Sequence, residues 1–208
     1  CVSARSIQNV QITFLKDTDD LNLRKAIAHA INVDSIIENI MGGQATRSVG
    51  PISQLVWGSN TTLPGYEYNP ELSMQLLEEG GYEAGEVTIP LQFAEGRMPK
   101  GREVAEAIAG DLAAVGINVE LSPMEYGVWF DAFYGGTLSG MTLSASTATT
   151  ADPNQMFRDH VLESCIGYHC SEELDAFLVP VKEVVNPDER NIVLQAFAQR
   201  HITEVPAA

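Results

Sequence analysis

Apolar residues recur along this chain at two spacings, one typical of strands and one typical of helices. Residues 8–15 are rich in side chains that are favoured in strands. Asp20 then precedes a segment of helical periodicity, whose apolar positions are Leu23, Ile27, Ala30 and Ile31. A second, shorter helix is expected over residues 33–41, because Gly42 and Gly43 after it favour the left-handed backbone that ends helices.

The middle of the chain alternates helix and strand patterns. A helix is expected to begin at Asn69-Pro70, a side-chain cap followed by a first-turn proline, and to end at Gly80-Gly81. Strict alternation predicts a strand over 87–93, an apolar stripe predicts a helix over 104–115, and alternation predicts another strand over 117–121. This βαβ unit is expected to place both strands parallel in one sheet.

The remaining segments complete a mixed α/β fold around one sheet. An aromatic-rich helix is expected over 125–134 and a short strand over 140–146. Two helices are expected at the end of the chain, one over 174–181 and one that begins at Asn186. Residues 44–68 lack a clear period, and a segment of that length is typically functional or flexible.

The net charge of the chain argues against some classes of binding partner. The 208 residues include 12 Lys and Arg against 28 Asp and Glu, a formal net charge of −16. Such a surface repels phosphate backbones and anionic lipid headgroups, so nucleic acid is not an expected partner. No apolar run approaches the ~18 residues of a membrane span, and the first ten residues lack the layout of a signal peptide. Any export signal is expected to lie outside this stretch.

The three cysteines give information about the cellular compartment of the protein. Cys165 and Cys170 are separated by four residues, a spacing that suits either a short-loop disulfide or two unpaired buried thiols. The disulfide, which we favour, would persist in an oxidising compartment such as the periplasm. His169 has no second Cys/His pair to complete four ligands, so no metal site is expected. Cys1 stands alone.

The sequence contains no recognisable catalytic motif. Nucleophile elbows, phosphate loops, zinc spacings and dinucleotide fingerprints are missing from it. His29 falls within a predicted helix, where a structural imidazole is favoured over a catalytic one. Asp152 before Pro153 is favoured as a helix cap over a general base.

Two segments at predicted strand ends are candidates for binding a ligand, because open α/β sheets bind ligands at the carboxyl ends of their strands. Residues 95–100 place Arg97 and Lys100 near a helix N-terminus, which suits an anion or simply a solvated basic loop. Residues 144–150 are small, uncharged and rich in hydroxyls, and they suit a polar wall or a flexible surface loop. We favour the wall, with Ser146, Thr147 and Thr149 in it.

Several motifs together resemble one family. The stretch LRKAIAHAINVDSIIENIMGGQATRSVGPI, with its Ala-Ile-Asn, Gly-Gly-x-Ala and Gly-Pro elements, resembles the peptide/nickel solute-binding proteins, family 5. Trp57-Gly58, YNPELSMQLLEEGGY, GRMPKGREVAEAIAGDLAAVGINVEL and ADPNQMF follow in the family's order and spacing. The resemblance covers residues 8–205.

This resemblance implies a type II periplasmic-binding-protein-like lobe, with a mixed sheet flanked by helices. Residues 1–208 are then one C-terminal lobe of a two-lobed protein whose N-terminal lobe is absent, and Cys1 marks a fragment boundary rather than the lipidated first residue of a lipoprotein. The implied function is the substrate-binding component of an ABC importer. It would act as a monomer, without a cofactor or an enzymatic step, in the periplasm or outside the cell, and any lipid anchor would lie in the absent N-terminal region.

The resemblance also implies site residues. Tyr126, directly after Glu125, occupies the position of an aromatic ligand contact, and Trp57 is a further candidate. Thr149 stands where the family's peptide binders hold an α-amino group with an aspartate, which favours a neutral or anionic ligand over a free-amine peptide. The expected partners are therefore a peptide or another small polar solute and a membrane permease. The alternatives are a sugar-binding relative, a sensor or chaperone-like module and, least favoured, a hydrolase.

Overall fold

Within the described residues, four strands form one mixed sheet with helices on both faces. The structure is a computed structural model that describes residues 7–15, 17–50, 52–148 and 183–204, and only the backbone of residues 7–9, 146–148 and 204. The elements are β1 (Ile7–Phe14), α1 (Leu21–Ala30), α2 (Val33–Ser35) with a π-helical turn (Ile36–Ile40), α3 (Pro70–Glu79), β2 (Thr88–Ala94), α4 (Gly101–Ala114), β3 (Asn118–Met124), α5 (Tyr126–Tyr134), β4 (Met141–Ala148) and α6 (Pro187–Glu204).

The sheet has the strand order β1-β4-β2-β3. β2 pairs in parallel with both β3 and β4, and β1 pairs antiparallel with β4. Helix α4 connects β2 to β3, so the predicted βαβ unit with parallel strands is confirmed. Leu91 of β2 lies opposite Leu121 of β3 and Met141 of β4, which aligns the apolar face of the three strands.

One face of the sheet carries the main core. Alternate residues of β2 point to this face, and helix α4 covers it with residues three and four positions apart. Burying a side chain of this size contributes about 1.5–3 kcal/mol, so the core is the principal source of stability. The buried residues of β2 and α4 are Ile89, Leu91, Phe93, Ala105, Ile108 and Leu112.

Pro90 and Gly140 determine where β4 begins. Pro90 cannot donate to a sheet hydrogen bond, and the pairing of β2 with β4 starts one residue after it. Gly140 lies against the proline with a φ of +69°, and a Cβ at this position would lie 2.8 Å from the Pro90 carbonyl oxygen. The Asp17 carboxylate accepts from the Gly140 amide at 2.7 and 2.9 Å, and the Thr18 hydroxyl donates to its carbonyl.

The predicted helix boundaries are largely confirmed. The Asp20 and Asn69 side chains accept hydrogen bonds from backbone amides in the first turns of α1 and α3, at 2.8 and 2.9 Å. Gly42 and Gly43 have positive φ values of 62° and 72°, as expected at a helix end. The helix before them differs from the prediction, because it is α-helical only over Val33–Ser35 and then widens into a π-helical turn. Apolar periodicity does not distinguish these two geometries.

The long segment after Gly43 packs against α6. The Tyr66 hydroxyl donates to the Ile202 carbonyl. The Gln195 amide donates to the carbonyls of Gly58 and Ser59 at 3.3 and 3.1 Å. Burial raises the pKa of Tyr66, because the phenolate would lose its hydration. The segment is therefore ordered by contacts with a helix more than a hundred residues away.

Some sequence predictions fall outside the described residues. These are the Cys165–Cys170 disulfide, Cys1, Thr149, Asp152 and the helix over 174–181. Of the helices that the structure describes, none has the length and apolar character needed to cross a bilayer.

Candidate ligand-binding site

The carboxyl ends of the parallel strands form one edge of the sheet. Ala94 at the end of β2 lies opposite Met124 at the end of β3, and the Glu95 amide donates to the Met124 carbonyl at 2.9 Å. β4 runs in the same direction and continues past the end of β2. Open α/β sheets bind ligands at such an edge, so the segments that leave these strands define the candidate site.

Tyr126 is held at this edge by the start of α5. Glu125 caps the helix, since its carboxylate accepts from the amides of Gly127 and Val128 at 2.7 and 3.2 Å. Tyr126 is the first residue of the helix, and 41% of its surface is exposed. The cap therefore fixes the position of an aromatic ring that solvent, or a ligand, can reach.

A buried aromatic base supports that ring. Tyr126 stacks on Trp129 with ring centroids 6.3 Å apart, and Trp129 stacks on Phe133 at 4.8 Å. The Trp129 indole donates to the hydroxyl of Thr142 at 2.9 Å, and that hydroxyl donates to the Gln92 carbonyl at 2.9 Å. Sequence reasoning found the aromatic helix but missed these hydrogen bonds, which join α5 to β4 and β2.

Arg97 and Tyr126 lie together. The Arg97 Cζ atom is 5.6 Å from the centroid of the Tyr126 ring, within the range of a cation–π contact. Both side chains are exposed, whereas the neighbouring Met98 is buried and anchors the loop. The structure thus brings together two of the predicted site residues, one in the loop after β2 and one at the start of the helix after β3.

The other charged groups after β2 have partners within the chain. Lys100, with a left-handed φ of 53°, donates to the Ile40 carbonyl at the end of the π-helical turn. Glu95 forms an ion pair with Arg102 in the first turn of α4. Of the two cations expected to receive an anion, it is Arg97 whose guanidinium lies over Tyr126.

The predicted polar wall over residues 144–150 needs correction. Residues 141–148 form strand β4, so most of the segment is not a loop, and neighbouring residues of a strand face opposite sides. Ser144 is only 7% exposed, and its hydroxyl makes a 2.9 Å hydrogen bond with that of Thr13. Ser146 and Thr147 pair with β1 through their backbone, and their roles as ligand contacts stay predictions.

Trp57 lies in a different environment. The Arg190 Cζ atom of α6 is 5.5 Å from the centroid of its ring. Among the described residues, no hydrogen bond, ring contact or cation–π contact joins Trp57 to Arg97 or Tyr126. Its part in the same site also stays a prediction.

His29 makes structural contacts. Its Nδ1 atom lies 2.8 Å from the Glu67 carbonyl oxygen, and its ring meets the edge of Tyr66 at a centroid distance of 5.6 Å. These contacts tie α1 to the long segment and agree with a structural imidazole. The residues described here contain no group of three His, Cys, Asp or Glu side chains placed to hold a metal ion.

The fold is that of periplasmic binding proteins. It is similar to the periplasmic binding protein DppA from Helicobacter pylori in complex with peptide STSA, with a TM-score of 0.82 and 24% identity over 98% of this chain and 42% of that chain. It is also similar to a dipeptide binding protein from Pseudoalteromonas sp. SM9913 in complex with Met-Leu, with a TM-score of 0.89 and 22% identity over 96% of this chain and 41% of that one.

The sequence places the chain in a family within this class. Residues 7–165 match the middle part of the bacterial extracellular solute-binding proteins, family 5, and the chain belongs to that family of binding proteins. A dipeptide-binding protein of Escherichia coli K12 is 26% identical over 196 residues, 90% of this chain and 36% of that protein. Di/tripeptide-binding protein 2 of Pseudomonas aeruginosa UCBPP-PA14 is 34% identical over 111 residues, 52% of this chain and 21% of that protein. The chain thus spans about a third or less of these relatives.

Proposed function

We propose that this chain carries one side of the ligand site of a solute-binding protein that supplies an ABC importer with peptide or a related small polar solute. The observation that carries this proposal is the exposed Arg97–Tyr126 pair at the carboxyl edge of the sheet. A flat ring beside a cation suits a ligand with an apolar group next to a hydrogen-bonding or anionic group. The names of the E. coli and P. aeruginosa relatives make peptides the first class to test.

The proposal includes a second lobe that closes over this edge. A ligand held by one edge alone would keep much of its surface in water, whereas ligand pockets normally enclose about 70–90% of a small ligand. The chain would be the C-terminal lobe of a monomer, and hinge closure would complete the site. The proposed location is the periplasm or the cell exterior, where a membrane permease receives the ligand.

The proposed role is to bind and release a ligand, without a chemical step. An aromatic ring and a guanidinium hold a ligand by stacking and by charge. The membership of a family of binding proteins supports the same reading.

The experiment begins with the complete protein purified without unfolding. Mass spectrometry of the small molecules released on denaturation identifies the ligand, and calorimetry on ligand-free protein then measures the affinity for di- and tripeptides. We expect peptides in the released fraction and submillimolar peptide binding. Release of an oligosaccharide alone, together with no heat from any peptide, would overturn the peptide proposal in favour of a sugar-binding relative.

A further inference from the structure

One residue of the loop between β2 and α4 has a backbone geometry that its side chain disfavours. Among the described residues, Lys100 is the one residue other than glycine with a positive φ, at 53°. This left-handed region crowds a Cβ atom against the backbone, so glycine is the usual residue there. Lys100 also occupies the N-cap position of α4, where Ser, Thr, Asp or Asn would accept from a free amide and an ammonium cannot. Neither local preference explains a lysine at this position.

The Lys100 side chain has a partner in another element. Its ammonium donates to the carbonyl of Ile40, the last residue of the π-helical turn, 60 positions earlier in the chain. Carbonyls at the end of a helix lack a partner within it, and the amide of the nearby Gln44 donates to the Met41 carbonyl instead, at 3.2 Å. The ammonium therefore supplies a hydrogen bond, and also a positive charge where the helix dipole favours one.

This contact fixes one end of the loop that carries Arg97. At the other end of the loop, the Glu95 amide donates to the Met124 carbonyl at 2.9 Å. Between the two ends, the Met98 side chain is buried beneath the loop. Because these attachments lie on both sides of Arg97 in the sequence, they determine where the loop holds its guanidinium, which lies over the Tyr126 ring.

We infer that Lys100 is a positioning residue of the candidate ligand site, which holds Arg97 over Tyr126 through its contact with the Ile40 carbonyl. The observation that carries this inference is a side chain that meets neither preference of its own position but joins the loop to a π-helical turn. Strained residues and π-helical turns are both frequent at functional sites. Lys100 is exposed, so its contact contributes little to global stability. The inference rests on the proposed function for the location of the site.

Three substitutions of Lys100 separate positioning from backbone strain. Lys100→Met keeps the length of the side chain and the positive φ, but it cannot donate to Ile40. Lys100→Gly also removes the donor but relieves the backbone, so it should be at least as stable as Lys100→Met in urea denaturation. Lys100→Arg keeps a cationic donor and should preserve the loop. If the hydrogen bond positions Arg97, the Met and Gly variants should displace it alike, whatever their difference in stability.

The experiment follows the Tyr126 ring in the complete, ligand-free protein by fluorine NMR after labelling with 3-fluorotyrosine. Tyr126→Phe assigns the resonance, and Arg97→Gln gives its position when no guanidinium lies over the ring. We expect Lys100→Met and Lys100→Gly to move the resonance most of the way to that position, and Lys100→Arg to leave it in place. In the Arg97→Gln background, Lys100→Met should move it no further, because Lys100 acts through Arg97.

Calorimetry with the dipeptide Ala-Phe measures the consequence for binding. Lys100→Met should weaken the affinity about threefold or more, and Lys100→Arg should stay within about twofold of the unmodified protein. Lys25→Met is the matched control, since it removes a lysine charge from α1. It should change neither the Tyr126 resonance nor the affinity.

A Tyr126 resonance that stays in place in Lys100→Met, or that moves as far in Lys25→Met, would overturn the inference. So would an unchanged affinity in a Lys100→Met protein whose resonance has moved, because the position of the loop would then not matter to the ligand. The fluorine measurement needs no ligand. The absence of heat from Ala-Phe with the unmodified protein therefore counts against the peptide proposal alone, and the role of Lys100 is still decided by the resonance.

Discussion

The Trp129 indole nitrogen donates to the Thr142 hydroxyl oxygen at 2.9 Å, and this contact joins α5 to β4 directly beneath the candidate site. Both residues are buried, and Thr142 is fully enclosed. Because Tyr126 stacks on Trp129, the orientation of the exposed ring depends on a hydrogen bond on the buried side of the helix. The sheet therefore positions Tyr126 through Trp129 as well as through the cap at Glu125.

Thr142→Val tests this support. The change keeps the volume but removes the acceptor for the indole and the donor to Gln92, so we expect the free energy of unfolding to fall by about 1–3 kcal/mol in urea denaturation. The control is Thr137→Val, an exposed threonine whose hydroxyl donates to the Ala132 carbonyl at 3.3 Å. The control should cost less than about 0.5 kcal/mol. If both variants lost the same free energy of unfolding, the buried hydrogen bond would contribute no more to stability than the exposed one.

Gly140→Ala tests the close approach of β4 to Pro90. The new Cβ would lie 2.7 Å from the Pro90 Cδ atom, closer than real contacts allow, on a backbone of positive φ. Gly136→Ala is the matched control, since its φ is +64° but nothing lies within 4 Å of its Cβ position. Both variants should lose about 1–2 kcal/mol to the left-handed backbone. Gly140→Ala should lose about 1–3 kcal/mol more in denaturant unfolding, and equal losses would contradict the steric argument.

Local features of this fold could be predicted from the sequence. The cap at Asn69 and the helix start after Asp20 could be predicted because capping depends on residues three positions apart, and the structure shows a capping bond at each. The alternation in β2 predicted a buried strand because side-chain direction follows the period of the backbone. The aromatic rings of α5 stack four residues apart, which the helical spacing of Trp129 and Phe133 already suggests.

Contacts between distant segments could not be predicted in this way. The sequence predicts a ligand-facing polar wall that begins at Ser144, but the Ser144 side chain forms a hydrogen bond to Thr13, 131 residues away, which depends on the antiparallel pairing of β1 with β4. The periodicity of apolar residues does not predict which strands pair in the sheet. Glu95 pairs with Arg102 rather than with Arg97, which is closer in the sequence, because of the turn at Gly96. The charged residues of the site could therefore be read from the sequence, but their ion-pair partners could not.

Tyr66→Phe should change how stability depends on alkaline pH. Burial raises the pKa of the folded Tyr66 above the ordinary value of 10.0. Above about pH 10 the unfolded chain therefore loses this proton while the folded chain keeps it, so stability that is present at lower pH falls as the pH rises. The variant lacks this dependence, and its free energy of unfolding should fall less between about pH 9 and 11.

At neutral pH the same variant should be less stable by about 0.5–1.5 kcal/mol, because the hydrogen bond from Tyr66 to the Ile202 carbonyl is lost. Urea denaturation across the pH range measures both effects on one protein. An identical alkaline slope in the variant and the unmodified protein would show that Tyr66 does not determine it.

The last prediction tests whether the ligand contacts only the first turn of α5 or more of that helix. Tyr126 and Tyr134 are both exposed tyrosines of this helix, at 41% and 39%, but Tyr126 lies at the carboxyl edge of the sheet and Tyr134 lies two turns farther along. Tyr126→Ala removes the ring on which a ligand would lie, which should cost about 0.5–1.5 kcal/mol beyond the lost contact area, or at least about two- to tenfold in affinity. Tyr134→Ala removes a comparable ring and should change the affinity less than about twofold. Calorimetry on the complete protein with the identified ligand measures both variants, after urea denaturation has shown that both remain folded. Equal losses would mean that the ligand, or the closing lobe, contacts the whole outer face of α5 rather than its first turn.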